Sequence, residues 1–73
     1  MPVRGRVFLS PRGARLVREG TLNIYSKWVK RVEGKPRRGD VVEILDASGK
    51  FLGVGFFEWV GAIGVRVLSL SLI

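Results

Sequence analysis

The sequence contains no cysteine and no histidine, and only one methionine and one asparagine. Without cysteine the chain cannot form a disulfide or a thiolate metal site. Without histidine it lacks the commonest metal ligand and the usual general base of enzymes. These absences exclude nucleophilic catalysis of the Ser-His or Cys-His kind. We therefore expect no catalytic residues, no metal and no cofactor, and no small-molecule substrate.

Long apolar runs are also missing. A membrane-spanning helix needs about 18 consecutive apolar residues, and the longest weakly polar run, residues 51–67, is interrupted by Glu58 and Arg66. The first residues, "MPVRGRVFLSPRG", contain no apolar core of the signal-peptide kind. The sequence therefore predicts a cytoplasmic protein that does not contact a membrane. Few thermolabile side chains combined with many arginines are typical of a thermophile.

The length of 73 residues favours a single domain, covering residues 1–73. A chain this short buries only about 60% of its unfolded surface, so it needs a dense apolar core or a partner. The hydrophobic content of 47% is consistent with a dense apolar core. A homodimer, or docking onto a larger assembly, would provide a partner.

The net charge of +7 is unevenly distributed along the chain. Residues 1–38 carry eleven cationic and two acidic side chains, a net charge of +9, whereas residues 39–73 have a net charge of −2. A strongly basic half joined to a slightly acidic half indicates a face that binds a polyanion, most simply a nucleic acid. The other interpretation is a solvated, charged surface without a ligand.

Hydrophobic alternation and glycine-containing turns predict about six short strands and one short helix. This pattern is typical of a mainly β protein, a small closed or partly open barrel with the helix between the first two strands. Gly53 and Gly55 are two residues apart, which favours a strongly coiled strand or close approach of another segment. The predicted strands are 3–9, 22–25, 28–32, 40–46, 51–57 and 59–70.

The stretch "SPRGARLVREG" contains residues that are typical of the start and the end of a helix. Ser10 suits the N-cap, Pro11 the first turn and Gly20 the position after the C-terminus. The helical periodicity places the arginines on one arc and Ala14, Leu16 and Val17 on the opposite arc. We expect the apolar arc to pack on the sheet, which leaves the arginines facing water or a ligand. These arginines are Arg12, Arg15 and Arg18.

Other candidate residues divide into binding and structural groups. The loop "EGKPRRGD" presents three more cations, Lys35, Arg37 and Arg38, but it lacks the spacing of a phosphate-binding P-loop. Asp40 and Asp46 are predicted to be ordinary turn residues. Among the aromatics we assign Phe8, Phe51 and one of Phe56 and Phe57 to the core. Trp59 is predicted to be exposed, where it would stack on a base or lie in a dimer interface.

The segment "VEGKPRRGDVVEILDASGKFLGVGFF" and the last strand "IGVRVLSL" resemble the PUA domain. They look most like the N-terminal PUA domain of the S-adenosylmethionine-dependent 23S rRNA cytosine-5 methyltransferases. The matching residues are Gly39, Asp40, Asp46, Ser48, Gly49, Lys50, Phe51, Leu52, Gly55, Ile63, Arg66, Val67 and Leu68. The resemblance implies a pseudobarrel of about six strands and a non-enzymatic role in binding structured RNA, such as rRNA or tRNA.

By position, the resemblance assigns RNA binding to the first helix, the loop before it and a neighbouring strand. The residues so assigned are Ser10, Arg12, Gly13, Arg15 and Arg18, together with Lys30 and Arg31. Two departures stand out. Thr21, Leu22 and Asn23 replace a His-Pro-Trp-like stretch, and the sequence stops at "SLSLI", where the methyltransferases continue into a catalytic part. The hypotheses are a free-standing PUA protein, or one whose methyltransferase partner lies on a separate chain or was removed.

Two other hypotheses remain open from the sequence. In the first, the chain is a protein-interaction or dimerisation module, with Phe57, Trp59 and the tail "LSLSLI" as its docking surface and an incidental basic charge. In the second, it is another small RNA-binding barrel, such as an SH3-like one, which predicts no helix between the first two strands.

Overall fold

A computed structural model describes residues 3–70, and the end of the predicted docking tail, residues 71–73, lies outside them. Six strands form one sheet that curls into a half-barrel, with a single α-helix between the first two strands. This confirms the predicted fold class and contradicts the SH3-like alternative. The elements are β1 (Gly5–Leu9), α1 (Pro11–Arg18), β2 (Asn23–Tyr25), a 3₁₀ helix (Ser26–Trp28), β3 (Val29–Gly34), β4 (Val41–Leu45), β5 (Phe51–Val60) and β6 (Ile63–Leu70).

The strand order across the sheet is β2-β6-β5-β4-β1-β3. Only the β1–β4 pair is parallel, and the other four pairs are antiparallel. The two edge strands, β2 and β3, follow one another in sequence and are joined by the 3₁₀ helix. The first and last strands therefore lie inside the sheet, each between two neighbours.

The core occupies the inner side of the curl. Ala14 and Val17 of α1 are buried in it, as the helical arc predicts. Strands β1 and β4 contribute alternate aliphatic side chains, whereas β3 adds only the partly buried Val29 and Val32. Branched side chains suit the pleated surface. The fully buried strand residues are Val7, Leu9, Ile24, Val42, Ile44 and Val65.

Gly55 lies where β6 comes close to β5. A Cβ atom at this position would lie 2.5 Å from the backbone oxygen of Arg66, so no side chain fits without moving β6. Gly53 meets the backbone of β6 in the same way, at Ser69 and Leu70. The predicted reason for this glycine pair, close approach of another segment, is therefore confirmed.

The prediction that Phe51 belongs to the core is wrong. Its side chain is 43% exposed, although Phe8 is buried and Phe57 packs against the core as expected. The β4–β5 register shifts between Ile44 and Leu45, because Phe51 pairs with Leu45 whereas Gly53 pairs with Ile44. This bulge interrupts the two-residue alternation, so Phe51 does not share the inner face with Gly53.

Candidate nucleic-acid interface

Helix α1 is held by its N-cap. The Ser10 side chain accepts a hydrogen bond from the Gly13 N–H at 3.1 Å, and its carbonyl accepts one from Ala14. Pro11 occupies the first helical position, where no N–H is needed, and Gly20 follows the helix with φ +108°. With its apolar arc buried, the helix leaves its arginines in solvent. Arg12, Arg15 and Arg18 are all exposed.

Gly13 fixes how closely the helix approaches the rest of the site. It is buried, and a Cβ here would lie 2.8 Å from the Cβ of Trp28. The Ser10 N–H also donates to the Trp28 carbonyl at 2.7 Å. The structure thus gives Ser10 and Gly13 a role in docking the first turn of α1 onto the 3₁₀ helix. Direct RNA contact by these two residues stays a prediction.

A β-bulge brings Lys30 and Arg31 to one surface. Phe8 of β1 pairs with Arg31 and Leu9 pairs with Val29, so Lys30 is the extra residue on β3. Bulges commonly redirect side chains in this way. Together with Phe8 and Ala47, the two cations line a cleft of about 210 Å³. The Arg31 guanidinium lies over the Phe8 ring, 4.0 Å from its centroid, and also pairs with Glu33 at 3.1 Å.

The turn between β4 and β5 joins this cleft to the helix. A second cleft, of about 240 Å³, lies between α1 and the turn, and Ala47 lines both clefts. Its lining residues are Pro11, Ala14, Arg18, Asp46, Ala47 and Ser48. The structure therefore brings Arg18 of α1 and the Lys30–Arg31 pair to either side of one small turn. Arg12 and Arg15 are exposed on the same helix but line neither cleft. We call this combined surface the α1–β3 face.

Asp46 organises the turn. Its carboxylate accepts hydrogen bonds from the Ser48 hydroxyl at 2.7 Å and from the N–H groups of Ser48 and Lys50, both at 2.9 Å. Arg18 donates to the other oxygen at 3.0 Å. These bonds, the Ser48 hydroxyl first, lower the pKa of Asp46 to about 2. Asp46 is a turn residue, as predicted, but its ion pair with Arg18 also places a negative charge on the α1–β3 face.

We expect Asp46 to make the fold sensitive to acid. Its lowered pKa means that the ionised carboxylate stabilises the folded state above the unfolded pKa, near 3.8, and that this stabilisation is lost as the pH falls towards 2. Urea unfolding at neutral pH should therefore show Asp46→Asn as clearly less stable than the native chain. The difference in the free energy of unfolding between the two proteins should decrease as the pH falls from 4 to 2. Ser48→Ala, which removes the strongest hydrogen bond, should behave in an intermediate way. A stability difference between the native chain and Asp46→Asn that does not change with pH would contradict this explanation.

The remaining predicted cations lie elsewhere. Gly5 pairs with Gly34 and with Val42, so the β3–β4 loop carrying Lys35, Arg37 and Arg38 is at the Gly5 end of β1. Helix α1 leaves from the Leu9 end. Nothing in the sequence separates the two groups, because the β1–β3 and β1–β4 pairings that hold them apart are not local.

Two features of the site were missed by sequence reasoning. The turn residues at positions 46–48 line the second cleft, although only their turn chemistry was recognised. Phe8 supports the Arg31 guanidinium as well as belonging to the core. Trp59 is 45% exposed, as predicted, but one of its faces stacks on Phe57 with 5.2 Å between ring centroids. No signal in the sequence distinguishes this intramolecular stacking from stacking on a base.

No helix within residues 3–70 is long and apolar enough to cross a membrane. The same part of the chain has no group of three or more His, Cys, Asp or Glu side chains that could hold a metal ion.

Comparison with known families decides the classification. A family model described as a PUA-like domain matches residues 7–70. The chain belongs to the PUA-like domain family. The match covers β1 from Val7 onward, α1 and all the following strands, so the helix and the sheet described above are parts of one PUA-like domain.

Two curated relatives contain a similar segment. Ribosomal RNA large subunit methyltransferase I of Pseudoalteromonas translucida is 41% identical over 46 residues, which are 63% of this chain. Glutamate 5-kinase of Dehalococcoides mccartyi is 36% identical over 56 residues, 77% of this chain. The PUA-like chain spans only 12% and 15% of these two relatives, respectively.

Solved structures share the fold. A PUA domain from Aeropyrum pernix superposes with a TM-score of 0.81 and 25% identity, covering 92% of this chain and 43% of that one. NSun6 from Pyrococcus horikoshii superposes with a TM-score of 0.71 and 23% identity, covering 99% of this chain and 20% of that one. The similarity to NSun6 is one of fold.

Proposed function

We propose that residues 1–73 act as a single, non-catalytic RNA-binding domain that recognises structured RNA, such as cytoplasmic rRNA or tRNA, through the α1–β3 face. One observation carries the proposal: Arg18 of α1 and the Lys30–Arg31 bulge line two clefts that share the β4–β5 turn, so these cations flank one turn. Membership of the PUA-like family supports it. The predicted contacts are Ser10, Arg12, Gly13, Arg15, Arg18, Lys30 and Arg31.

The chemistry of this face suits a phosphate backbone. Guanidinium groups bind phosphate through two parallel hydrogen bonds and also stack on bases. Arg12, Arg15 and Lys30 make no ion pair with another described residue, so their charges are available to a ligand. Arg31 is already oriented by Phe8 and Glu33. Pre-oriented cations lose less conformational entropy on binding.

The acidic side chains support a non-enzymatic role. Asp46 and Asp40 accept hydrogen bonds within turns, and Glu43 and Glu33 pair with Arg6 at 2.9 Å and 3.9 Å. A pair of carboxylates serving as general acid and base needs a shared cleft. In a cleft at the Gly5 end of β1, Glu33 and Glu43 lie beside Arg6, which pairs with both.

An enzyme partner is a further part of the proposal. The similarity to a ribosomal RNA methyltransferase favours a role in delivering such an enzyme to its RNA. A similar segment also occurs in a glutamate 5-kinase, so related segments are found in enzymes of more than one kind. We propose the methyltransferase association because the charge of the α1–β3 face matches an RNA substrate.

The proposal is tested by titrating the domain into a labelled, structured RNA and into an unstructured RNA of equal length, at two salt concentrations. Three to five phosphate contacts should make the slope of log affinity against log salt about −2.7 to −4.5, at about 0.9 per contact. We expect the structured RNA to bind more tightly at both concentrations. Equal binding to both RNAs that disappears at the higher salt would reduce the interaction to general charge attraction and contradict the proposal.

A dimerisation role has one supporting observation. Leu22 and Leu68 are 66% and 54% exposed, and the β2–β6 region that carries them includes a sheet edge. Exposed edges can pair with a second copy. The mass of the protein in solution, measured before the RNA titration, separates this role from the RNA-binding one.

A further inference from the structure

Aromatic and aliphatic side chains are exposed near the closed end of the β5–β6 hairpin. Tyr25 of β2 pairs directly with Ile63 of β6, and Ile63 pairs directly with Val60 of β5. Side chains directly opposite one another on adjacent strands share a face of the sheet, so these three form one row across three strands. Tyr25 and Val60 are 41% and 46% exposed. The row is therefore an apolar surface in contact with water.

The indole of Trp59 extends this surface. A Cβ placed on Gly64 would lie 2.8 Å from an atom of the indole and 3.2 Å from the Cα of Ser26. The indole therefore lies next to the residue that follows Tyr25. Trp59 is 45% exposed, and one face of its ring stacks on Phe57. We call the exposed group the hairpin patch, and its residues are Tyr25, Trp59, Val60 and Ile63.

The backbone at Trp59 is strained. Phe57 pairs with Val65 and Val60 pairs with Ile63, so β5 carries one extra residue at this point. Trp59 has φ +49°, the one positive φ of a residue other than glycine within residues 3–70. Glycine is the usual residue in a left-handed bulge position, and a bulky residue held there stores strain. Because such strain persists mainly at functional positions, the exposed indole is expected to contact a partner.

Two charges of opposite sign lie beside the hairpin patch, one on the β2 side and one on the β5 side. The Lys27 ammonium lies over the Tyr25 ring, 5.9 Å from its centroid. Glu58 lies on β5, directly before Trp59. Neither charge makes an ion pair with another described residue. The two charges cancel, so the patch lacks the positive charge that attracts a polyanion.

We propose that the hairpin patch is the contact between two copies of this chain in a two-fold dimer, in which Lys27 of each copy faces Glu58 of the other. A two-fold contact uses the same patch on both copies, so a patch with opposite charges on its two sides is complementary to itself. Tyrosine and tryptophan are the side chains that anchor many protein interfaces. A domain of 73 residues without disulfides also gains stability from a partner. No residue of the patch is a predicted RNA contact, so the dimer and RNA binding are independent.

The test measures the mass of the protein in solution by analytical ultracentrifugation over a range of concentrations, and the native chain should dimerise. Lys27→Glu and Glu58→Lys should each weaken the dimer at least about tenfold, because each sets like charges opposite one another at both ends of the contact. An equimolar mixture of these two variants should dimerise as the native chain does, since both opposite-charge pairs are restored between them. The double variant Lys27→Glu/Glu58→Lys should also dimerise.

Two further variants separate the patch from other apolar surface. Trp59→Gly removes the indole together with the strain at this position, so the fold should be kept and the dimer lost. Leu22→Ser/Leu68→Ser changes two exposed side chains outside the patch and should leave the dimer intact. Circular dichroism should show the same fold for every variant.

Each other outcome overturns the inference. A native chain that stays monomeric at every concentration has no such contact. A mixture of the two charge variants that fails to dimerise excludes the pairing of Lys27 with Glu58 between copies. A dimer that is lost only in Leu22→Ser/Leu68→Ser forms through the β2–β6 region. If the native chain is monomeric and Trp59→Gly binds RNA more weakly, the indole stacks on a base and the patch is not a dimer contact.

Discussion

The double variant Arg12→Glu/Arg15→Glu is expected to lose at least about 100-fold in affinity for structured RNA. Each guanidinium lost removes a charge-assisted hydrogen bond worth about 1.5–3 kcal/mol, and each glutamate adds repulsion of phosphate. About 1.4 kcal/mol corresponds to a tenfold change in binding. The effect should therefore be visible in a simple titration at low salt.

The fold should survive this change. Both side chains are exposed, and neither makes an ion pair among the described residues. A glutamate at position 12 lies in the first turn of α1, where a negative charge interacts favourably with the helix dipole. Circular dichroism and the midpoint of thermal unfolding should confirm this. Undiminished affinity in a folded double variant would place the RNA contact away from α1.

Arg18 is a poorer choice for the same experiment. It donates to Asp46 at 3.0 Å, so a glutamate at position 18 would set two negative charges side by side and disturb the turn. A loss of binding could then reflect a damaged fold. The matched single variants Arg15→Glu and Arg66→Glu are cleaner, because each changes the charge equally and only Arg15 belongs to α1. We expect Arg15→Glu to have the larger effect.

Gly55→Ala should lower the free energy of unfolding by about 1–3 kcal/mol, the usual range for overpacking. The added Cβ would meet the backbone oxygen of Arg66 at 2.5 Å, and a backbone atom in a paired strand cannot move aside alone. A chain of 73 residues has a total stability of about 4–11 kcal/mol, at 0.05–0.15 per residue. The variant should unfold at a clearly lower urea concentration.

Gly49→Asn is the matched control for this experiment. Gly49 has open space where a side chain would go, and its φ of +92° is positive. Asparagine accepts positive φ better than most residues. We expect a smaller loss of stability than for Gly55→Ala. Gly55 itself has no positive φ, so equal losses in the two variants would contradict the close approach of β6 as the source of the cost at position 55.

Local patterns in the sequence predicted much of the fold. The capped helix, the alternating strand β4 and the glycine pair of β5 were all read from neighbouring residues, and the structure confirms them. The predicted break between the second and third strands is a 3₁₀ helix, Ser26–Trp28. The position of Phe51 was wrong because a bulge is set by pairing with another strand. A prediction from alternating residues assumes that every residue of a strand takes part in pairing, and a bulge breaks that assumption.

The residues of the site stay a prediction, and their arrangement could not be read from the sequence. Charge and family resemblance selected the arginines of α1 and the pair on β3, and the structure brings Arg18 and this pair to one turn. The β3–β4 loop with Lys35, Arg37 and Arg38 was grouped with them because charge counts carry no information on distance. Its separation follows from β1 pairing with β3 and β4, contacts that join residues far apart in sequence.

The placement of the edge strands has a consequence for synthesis on the ribosome. Strand β3 can pair with β1 as soon as Gly34 has emerged, but β2 pairs only with β6, so its partner arrives about forty residues later. Until then the end of α1 leads into a strand with no neighbour. Strand β2, which follows α1 in sequence, can therefore join the sheet only after the last strand has been made.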